Sequence, residues 1–301
     1  MFLRGWKHYL FDQWGRPHLD VYNNVPHVGH AHPRLQSVVS EQLKRLNTNT
    51  RYLNPAQSAF AKALKKKLPS ELSVCYFVNS GSEANELALR LSRAHTKAKH
   101  MITPDHGYHG NTTGAVDISA YKFNAPGGVG QSDWVHLVDI PDSYADPIGV
   151  VVTTQAIADS FAKGPEFFST FGGSTLSCMV GKTVLDIVED EALQSNAAQR
   201  GRQAINGLVE LQKKHACIGD VRGIGLFIGV ALVLDRNTKA PASDVASYVV
   251  NRLREHRILA GLEGPDNNIL KIRPPLSIAS LDVEHFLETL DIILCETAIC
   301  A

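Results

Sequence analysis

Long apolar runs are missing from this 301-residue chain. None approaches the roughly eighteen residues that cross a bilayer, so no membrane span is expected. Net charge is missing too. Thirty basic and thirty acidic side chains cancel, which removes the electrostatic reason to expect nucleic acid or an anionic membrane as partner. The five cysteines are an odd number with no C-x-x-C spacing. That excludes a disulfide framework or a zinc finger and leaves free thiols as the expectation. Repeats and low-complexity stretches are absent, and Lys65-Lys66-Lys67 reads as a solvated helix end. The opening MFLRGWKHYLFDQWGR alternates charged with aromatic residues and lacks the apolar core of a signal peptide. Hydrophobic residues at 44% and charged residues at 20% then mark a globular chain, not a disordered one. The expectation is a soluble, cytoplasmic protein.

The chain opens with hairpin signals: Tyr9-Leu10-Phe11, a turn over Asp12 to Arg16 containing Gly15, then His18 to Tyr22. Leu35, Val38, Val39, Leu43 and Leu46 follow at helical spacing, and residues 55–68 form a second helix before Pro69. Val74 to Val78 is a continuous apolar run, as in a strand buried on both faces. Further runs at Met101-Ile102, Val135 to Ile140 and Ile148 to Val152 suggest more strands of an α/β sheet. Helices over 176–190 and 191–215 lead to a different texture. Strands within Val221 to Val233, a helix near 243–256, a strand pair around Ile258 and Ile269–Ile272 and a last helix from Leu281 predict a smaller α+β domain.

Four segments carry chemistry. Asn79-Ser80-Gly81-Ser82-Glu83 follows the buried run, and Ser80 with Glu83 fits a capping box. A helix start with a glycine and two hydroxyls suits a phosphate, although an ordinary capped helix has the same pattern. His106-Gly107-Tyr108-His109-Gly110 can expose an aromatic ring to a planar ligand. Ser169-Thr170-Phe171-Gly172-Gly173 offers further hydroxyls before a helix. Leu270-Lys271-Ile272-Arg273-Pro274-Pro275 places two cations in alternation. Together they suggest a phosphorylated planar ligand. His27, His30 and His32 invite a metal-dependent enzyme instead, but clustering along the chain does not supply tetrahedral geometry, so no metal is assigned.

G-S-E-A-N-E, G-Y-H-G, T-F-G-G-x-x-x-S-C and G-D-V-R-G-I-G-L-F-I-G resemble the class III (subgroup II) pyridoxal-phosphate-dependent aminotransferases of fold type I. R-G-W-x-x-Y-L-F-D, the stretch Tyr22 to His30 and Leu46 to Tyr52 resemble the branch that contains ethanolamine-phosphate phospho-lyase and phosphohydroxylysine phospho-lyase. The resemblance implies an aminotransferase or phospho-lyase acting on a small-molecule amine as a homodimer with pyridoxal 5'-phosphate. Ser80, Gly81, Ser82, Tyr108 and His109 would bind the cofactor, and Thr170 would reach the partner subunit's cofactor. Lys271, Arg273, Arg51 and His30 would bind substrate. Lys271 stands where many members carry a carboxylate-binding arginine, which fits an amine without an α-carboxylate, such as phosphoethanolamine.

One departure is larger. The family's Schiff-base lysine precedes a strand that here reads Pro147-Ile148-Gly149-Val150-Val151-Val152-Thr153-Thr154, yet no lysine occurs between Lys122 and Lys163. The element whose aspartate pairs with the pyridine nitrogen is missing too. The resemblance therefore implies a segment lost between Asp146 and Pro147. The expected architecture is α/β: a fold type I chain with an incomplete central parallel sheet and a C-terminal α+β small domain. Its parts are an N-terminal segment (1–54), a large cofactor-binding domain (55–200, deleted at 146/147) and a small domain (201–301). The competing reading is a catalytically inactive remnant with residual cofactor or partner binding.

Overall fold

The computed structural model describes residues 1–23, 25–49, 51–138, 150–164, 167, 169 and 172–296. The 146/147 junction and Thr170 lie outside the described residues. Two compact units form: Met1–Ser37 with Thr183–Ala301, and Val38–Lys182.

The chain starts with β1 (Phe2–Trp6), β2 (Tyr9–Asp12) and β3 (Pro17–Asp20). The expected hairpin pairs Tyr9 with Leu19 and Phe11 with Pro17. Its turn is closed by Asp12, whose carboxylate accepts from the backbone N–H groups of Trp14 and Arg16 at 2.9 and 3.0 Å. The preceding strand β1, which the sequence did not suggest, pairs antiparallel with β2. Helix α1 (Pro33–Arg45) follows, and none of its residues is buried.

In the 38–182 unit the order is α2 (Pro55–Lys65), β4 (Val74–Phe77), α3 (Gly81–Thr96), β5 (Met101–Pro104), α4 (Thr113–Asp117), α5 (Ala120–Phe123), β6 (Val135–Val138), β7 (Val150–Thr153) and α6 (Gln155–Ala162). The incomplete sheet takes the form of two separate pairs among the described residues. β5 and β6, joined through α4 and α5, are parallel. β4 and β7 are antiparallel, which corrects the all-parallel expectation. A four-residue apolar run shows burial but not strand direction, and direction follows from the partner it meets. β4 is also only partly buried except at Phe77, since among the described residues it has one partner strand rather than two. Helix α3 buries Leu87 and Leu91 with Phe161 on one side. On the other, Leu89 packs with Phe123, Trp134 and Val135.

The chain returns through α7 (Thr175–Asp190), α8 (Leu193–Lys214), β8 (Ile218–Ile224), β9 (Phe227–Asp235), β10 (Ala240–Pro241), α9 (Ser243–Glu255), β11 (Ile258–Leu259), β12 (Gly261–Glu263), β13 (Ile269–Ile272) and α10 (Ser280–Cys295). β9 pairs antiparallel with β8 and β13, and β12 extends the sheet beyond β13. Ile228, Val230 and Leu232 alternate onto its covered face. Val245, Ala246, Val249 and Leu253 from α9, and Val283, Phe286, Leu290, Ile293 and Leu294 from α10, complete one continuous core there. Gly201 of α8 meets the β8–β9 turn so closely that a Cβ would lie 2.0 Å from the Gly225 carbonyl oxygen.

Two expectations change in this unit. β11 does not pair with β13; it runs parallel to β3, Ile258 opposite Leu19. The N-terminal strands therefore belong with the C-terminal part and not to a separate 1–54 segment. Residues 258 and 269 are close in sequence, whereas the 19–258 pairing leaves no local trace. Cys75, Cys178 and Cys295 are free thiols, but Cys217 is disulfide-bonded, because chain spacing does not report the approach of two Cβ atoms in the fold.

Candidate cofactor and substrate sites

The helix start expected at Ser80 is present. Ser80 is extended (φ −157°, ψ 163°), and its Oγ accepts from the Glu83 backbone N–H at 3.1 Å. The Glu83 carboxylate reaches one residue further back than a capping box requires. It accepts from the Asn79 backbone N–H at 2.7 Å and from Asn79 Nδ2 at 2.9 Å. Asn79 Nδ2 also donates to Ser169 Oγ at 2.9 Å, and Ser169 Oγ accepts from the Gly172 N–H at 3.1 Å. This brings the second hydroxyl-rich segment to the start of α3 within one chain.

The Tyr108 loop is laced to the same helix. Asn111 N–H donates to Ser82 Oγ at 3.0 Å, Asn85 Nδ2 to the His109 carbonyl at 2.7 Å, and Thr112 Oγ1 to Glu86 Oε2 at 2.7 Å. Gly110, at φ +131°, leaves no room for a side chain: a Cβ would sit 2.5 Å from Ser82 Oγ. Ser82 and Tyr108 thus belong to one local assembly, with the Tyr108 ring half-exposed. The ring stands edge-to-face with Tyr121, and Lys122 Nζ lies 5.4 Å from its centroid.

His109 has a different place from Tyr108. Its ring turns inward, with Nε2 3.0 Å from Thr103 Oγ1. That hydroxyl donates its own proton to the Ile118 carbonyl, so His109 Nε2 carries the hydrogen and donates. Burial lowers the His109 pKa and favours the neutral ring. His109 therefore braces the loop that carries Tyr108.

The expected substrate residues divide between the units. Arg51 is exposed in the 38–182 unit, its backbone N–H donating to Asn49 Oδ1. Lys271 and Arg273 line a cleft of about 340 Å³ in the other unit, with Leu10, Asp20, Tyr22, Asn23 and Leu259. Asp20 is almost wholly buried, and Oδ1 accepts from the N–H groups of Tyr22 (3.2 Å) and Asn23 (2.8 Å). Its Oδ2 meets His30 Nε2 at 2.9 Å, so His30 acts on the cleft through Asp20. Lys271 is ion-paired with Glu263 and lies 5.6 Å from the Tyr22 ring centroid. The buried Arg273 guanidinium sits 4.9 Å from the Phe227 ring centroid. His32 faces Glu191 at 2.9 Å. His30 and His32 thus serve different carboxylates. Sequence reasoning missed Asp20 and Asn111, and it singled out the segments of Asn79 and Ser169 without the bond that joins them; for Asp20 the available signal was a carboxylate just ahead of the Tyr22–His30 motif.

The residues present suit part of pyridoxal phosphate. The start of α3 provides unsatisfied N–H groups and a favourable dipole for a phosphate, and Tyr108 offers a ring face. The aldehyde end is not matched. The lysine beside this loop is Lys122, a residue with no place in the family's lysine motif.

A family profile described as Aminotransferase class-III matches residues 3–144 and 146–294. The chain belongs to the class-III aminotransferases. It is 32% identical to the alanine–glyoxylate aminotransferase 2-like protein of Drosophila melanogaster over 396 residues, covering 95% of this chain and 80% of the relative. It is 29% identical to the ethanolamine-phosphate phospho-lyase homolog 1 of Caenorhabditis elegans, covering 95% and 86%. A solved phospholyase from Arthrobacter, in complex with phosphoethanolamine, superposes with a TM-score of 0.91 at 26% identity, covering 98% of this chain and 94% of that one. The fold is thus that of the pyridoxal-phosphate aminotransferases, fold type I. The two matched blocks of this class-III chain meet at residue 145, beside the junction expected at 146/147. In the Drosophila alignment, 95% of 301 residues is about 286, spread over 396 positions, so about 110 positions have no residue here.

Proposed function

We propose that this chain is a phospho-lyase-branch protein that binds a phosphorylated primary amine of the phosphoethanolamine type and performs no Schiff-base chemistry on it. The observation that carries the substrate class is the cleft where Lys271 and Arg273 line the same space as the buried carboxylate Asp20. A zwitterion with a phosphate at one end and an ammonium at the other complements that set. The relatives named phospho-lyase support the same class.

The absence of turnover rests on the sequence between Lys122 and Lys163, which holds no lysine, and on the two-block family match. The 55–200 cofactor domain is shortened at 146/147, and the lost segment carries the lysine and the pyridine-pairing aspartate. Bound pyridoxal phosphate supplies an electron sink for reactions at the substrate amine carbon. Here Ser80, Gly81 and Ser82 would hold its phosphate, Tyr108 its ring, with His109 bracing that loop and Thr170 serving the partner subunit. A homodimer is part of this reading: Leu43 near the end of α1 and Leu46 just beyond it are exposed apolar side chains. So is a cytoplasmic location. Among the described residues no helix is long and apolar enough to cross a membrane.

A second reading is favoured by one contact, Lys122 beside Tyr108: Lys122 takes the missing lysine's place. Intact-mass measurement after pyridoxal phosphate and borohydride, combined with phosphate release from phosphoethanolamine, separates the two. The first reading expects phosphoethanolamine binding by calorimetry, no stoichiometric adduct and no phosphate release. A single adduct on Lys122, with turnover abolished by Lys122→Ala, overturns it.

A further inference from the structure

We propose that His215, Asp291 and Cys295 form a zinc(II) site joining the end of α8 to the end of α10. His215 is the C-cap residue of α8. Asp291 and Cys295 stand four residues apart on α10, a spacing that puts both on one helix face. One donor atom from each of the three lies within 4.8 Å of the others. His215 is buried, and its Nε2 points at Asp291 Oδ1 from 2.6 Å. Cys295 is exposed, which leaves an entry path for the ion.

The donor set selects the metal. A thiolate with an imidazole and a carboxylate suits zinc, whereas calcium and magnesium take oxygen ligands. Bonds of about 2.0–2.3 Å in tetrahedral geometry place ligand atoms roughly 3.3–3.8 Å apart. The His215–Asp291 pair has to open slightly and the Cys295 sulfur has to close in, a movement its exposed side chain can make by rotation. Three protein ligands leave a fourth position for water.

Lys214 completes the arrangement. Its Nζ lies 2.5 Å from Asp291 Oδ2, the oxygen turned away from His215. Asp291 can therefore give Oδ1 to the metal while Lys214 holds Oδ2, a support often found behind metal-bound carboxylates. On binding, the Cys295 S–H bond breaks and its proton leaves to solvent, the hydrogen that His215 Nε2 shares with Asp291 leaves that nitrogen through solvent so that the ring binds as a neutral imidazole, and the Zn–S and Zn–N bonds form. Zn²⁺ with one carboxylate and one thiolate is neutral. No electron is transferred.

The full, untagged, metal-stripped chain tests this with Co²⁺ and Zn²⁺. The expected result is one Co²⁺ per chain with a thiolate-to-cobalt charge-transfer band in the near ultraviolet, which Zn²⁺ displaces. Cys295→Ser removes the band and weakens zinc binding at least tenfold, a loss on the scale of disturbed metal sites, whereas Cys75→Ser leaves both unchanged. One equivalent of Zn²⁺ also slows alkylation of Cys295 in the unaltered chain, which needs no variant. Binding by histidines elsewhere, as at the exposed His100–His136 pair with ring nitrogens 2.9 Å apart, produces no thiolate band. Saturating Co²⁺ without that band, a band that survives Cys295→Ser, or zinc-independent alkylation of Cys295 overturns the site and leaves a Lys214–Asp291–His215 salt bridge with a bystander thiol.

Discussion

In the unit built from the two chain ends, β9 turns Ile228, Val230 and Leu232 to one face, and α8, α9 and α10 cover it as one continuous core. In the 38–182 unit the described strands stand in two separate pairs, and the described buried side chains fall into smaller groups around Leu89 and around Leu87 and Leu91. The difference separates two kinds of dependence. A core needs every layer present, since each layer buries its neighbour's apolar face. The capped start of α3 needs only a few contiguous residues and one adjoining loop, so it forms in a unit whose described strands stand in separate pairs.

The largest expected effect lies in the continuous core. Leu290→Ala should destabilise the chain-end unit by roughly 3–5 kcal/mol, because close-packed neighbours on α8 and the sheet cannot collapse into the cavity. Leu89→Ala in the other unit should cost nearer about 2 kcal/mol, its smaller cluster relaxing more easily. Urea denaturation, with hydrogen exchange assigning each transition to its unit, reads both values. Equal losses would break the comparison.

A polar contact sharpens it next. The Asp282 carboxylate accepts from Tyr9 and lies 2.7 Å from His8 Nε2, tying β2 to α10. Burial pulls its pKa up, but the bonds from His8 and Tyr9 and the His8 charge outweigh burial and hold it below the ordinary 3.8. A lowered folded pKa means that this stabilisation is present above 3.8 and is lost as pH falls through the folded value. Asp282→Asn should cost roughly 1–3 kcal/mol at neutral pH and should flatten acid destabilisation of the chain-end unit below 3.8. An unchanged acid limb in the variant would show that other carboxylates control it.

The smallest effect tests the helix start. Ser80→Ala removes the cap on Glu83 N–H and should cost about 1 kcal/mol in the 38–182 unit alone. It should also weaken phosphate binding there. Hydrogen exchange confined to α3 is the expected signature. Loss of protection in α9 or α10 would mean that the units do not respond separately.

Much of this was legible before any coordinates. The Ser80–Glu83 cap, the Gly110 loop, the Asp12–Arg16 turn and the helical stripes of α9 and α10 are local patterns, set by residues within a few positions of one another. The Tyr22–His30 motif pointed to a pocket-lining loop, but the partner of His30 is Asp20, and the other wall of the cleft comes from Lys271 and Arg273, about 250 residues away. The antiparallel β4–β7 pair, the parallel β3–β11 pair and the bond between Asn79 and Ser169 were equally unreadable.

By itself, the sequence determined the elements, the capped helix start, the family and the absence of a lysine between Lys122 and Lys163. Tertiary structure decided strand partners and direction, the turning of His109 onto Thr103, and the meeting of His215 with Asp291 and Cys295. The physical reason is range. Capping, turn chemistry and helical periodicity act over one to four residues, whereas strand pairing and convergence of donors depend on closing long loops around a shared core.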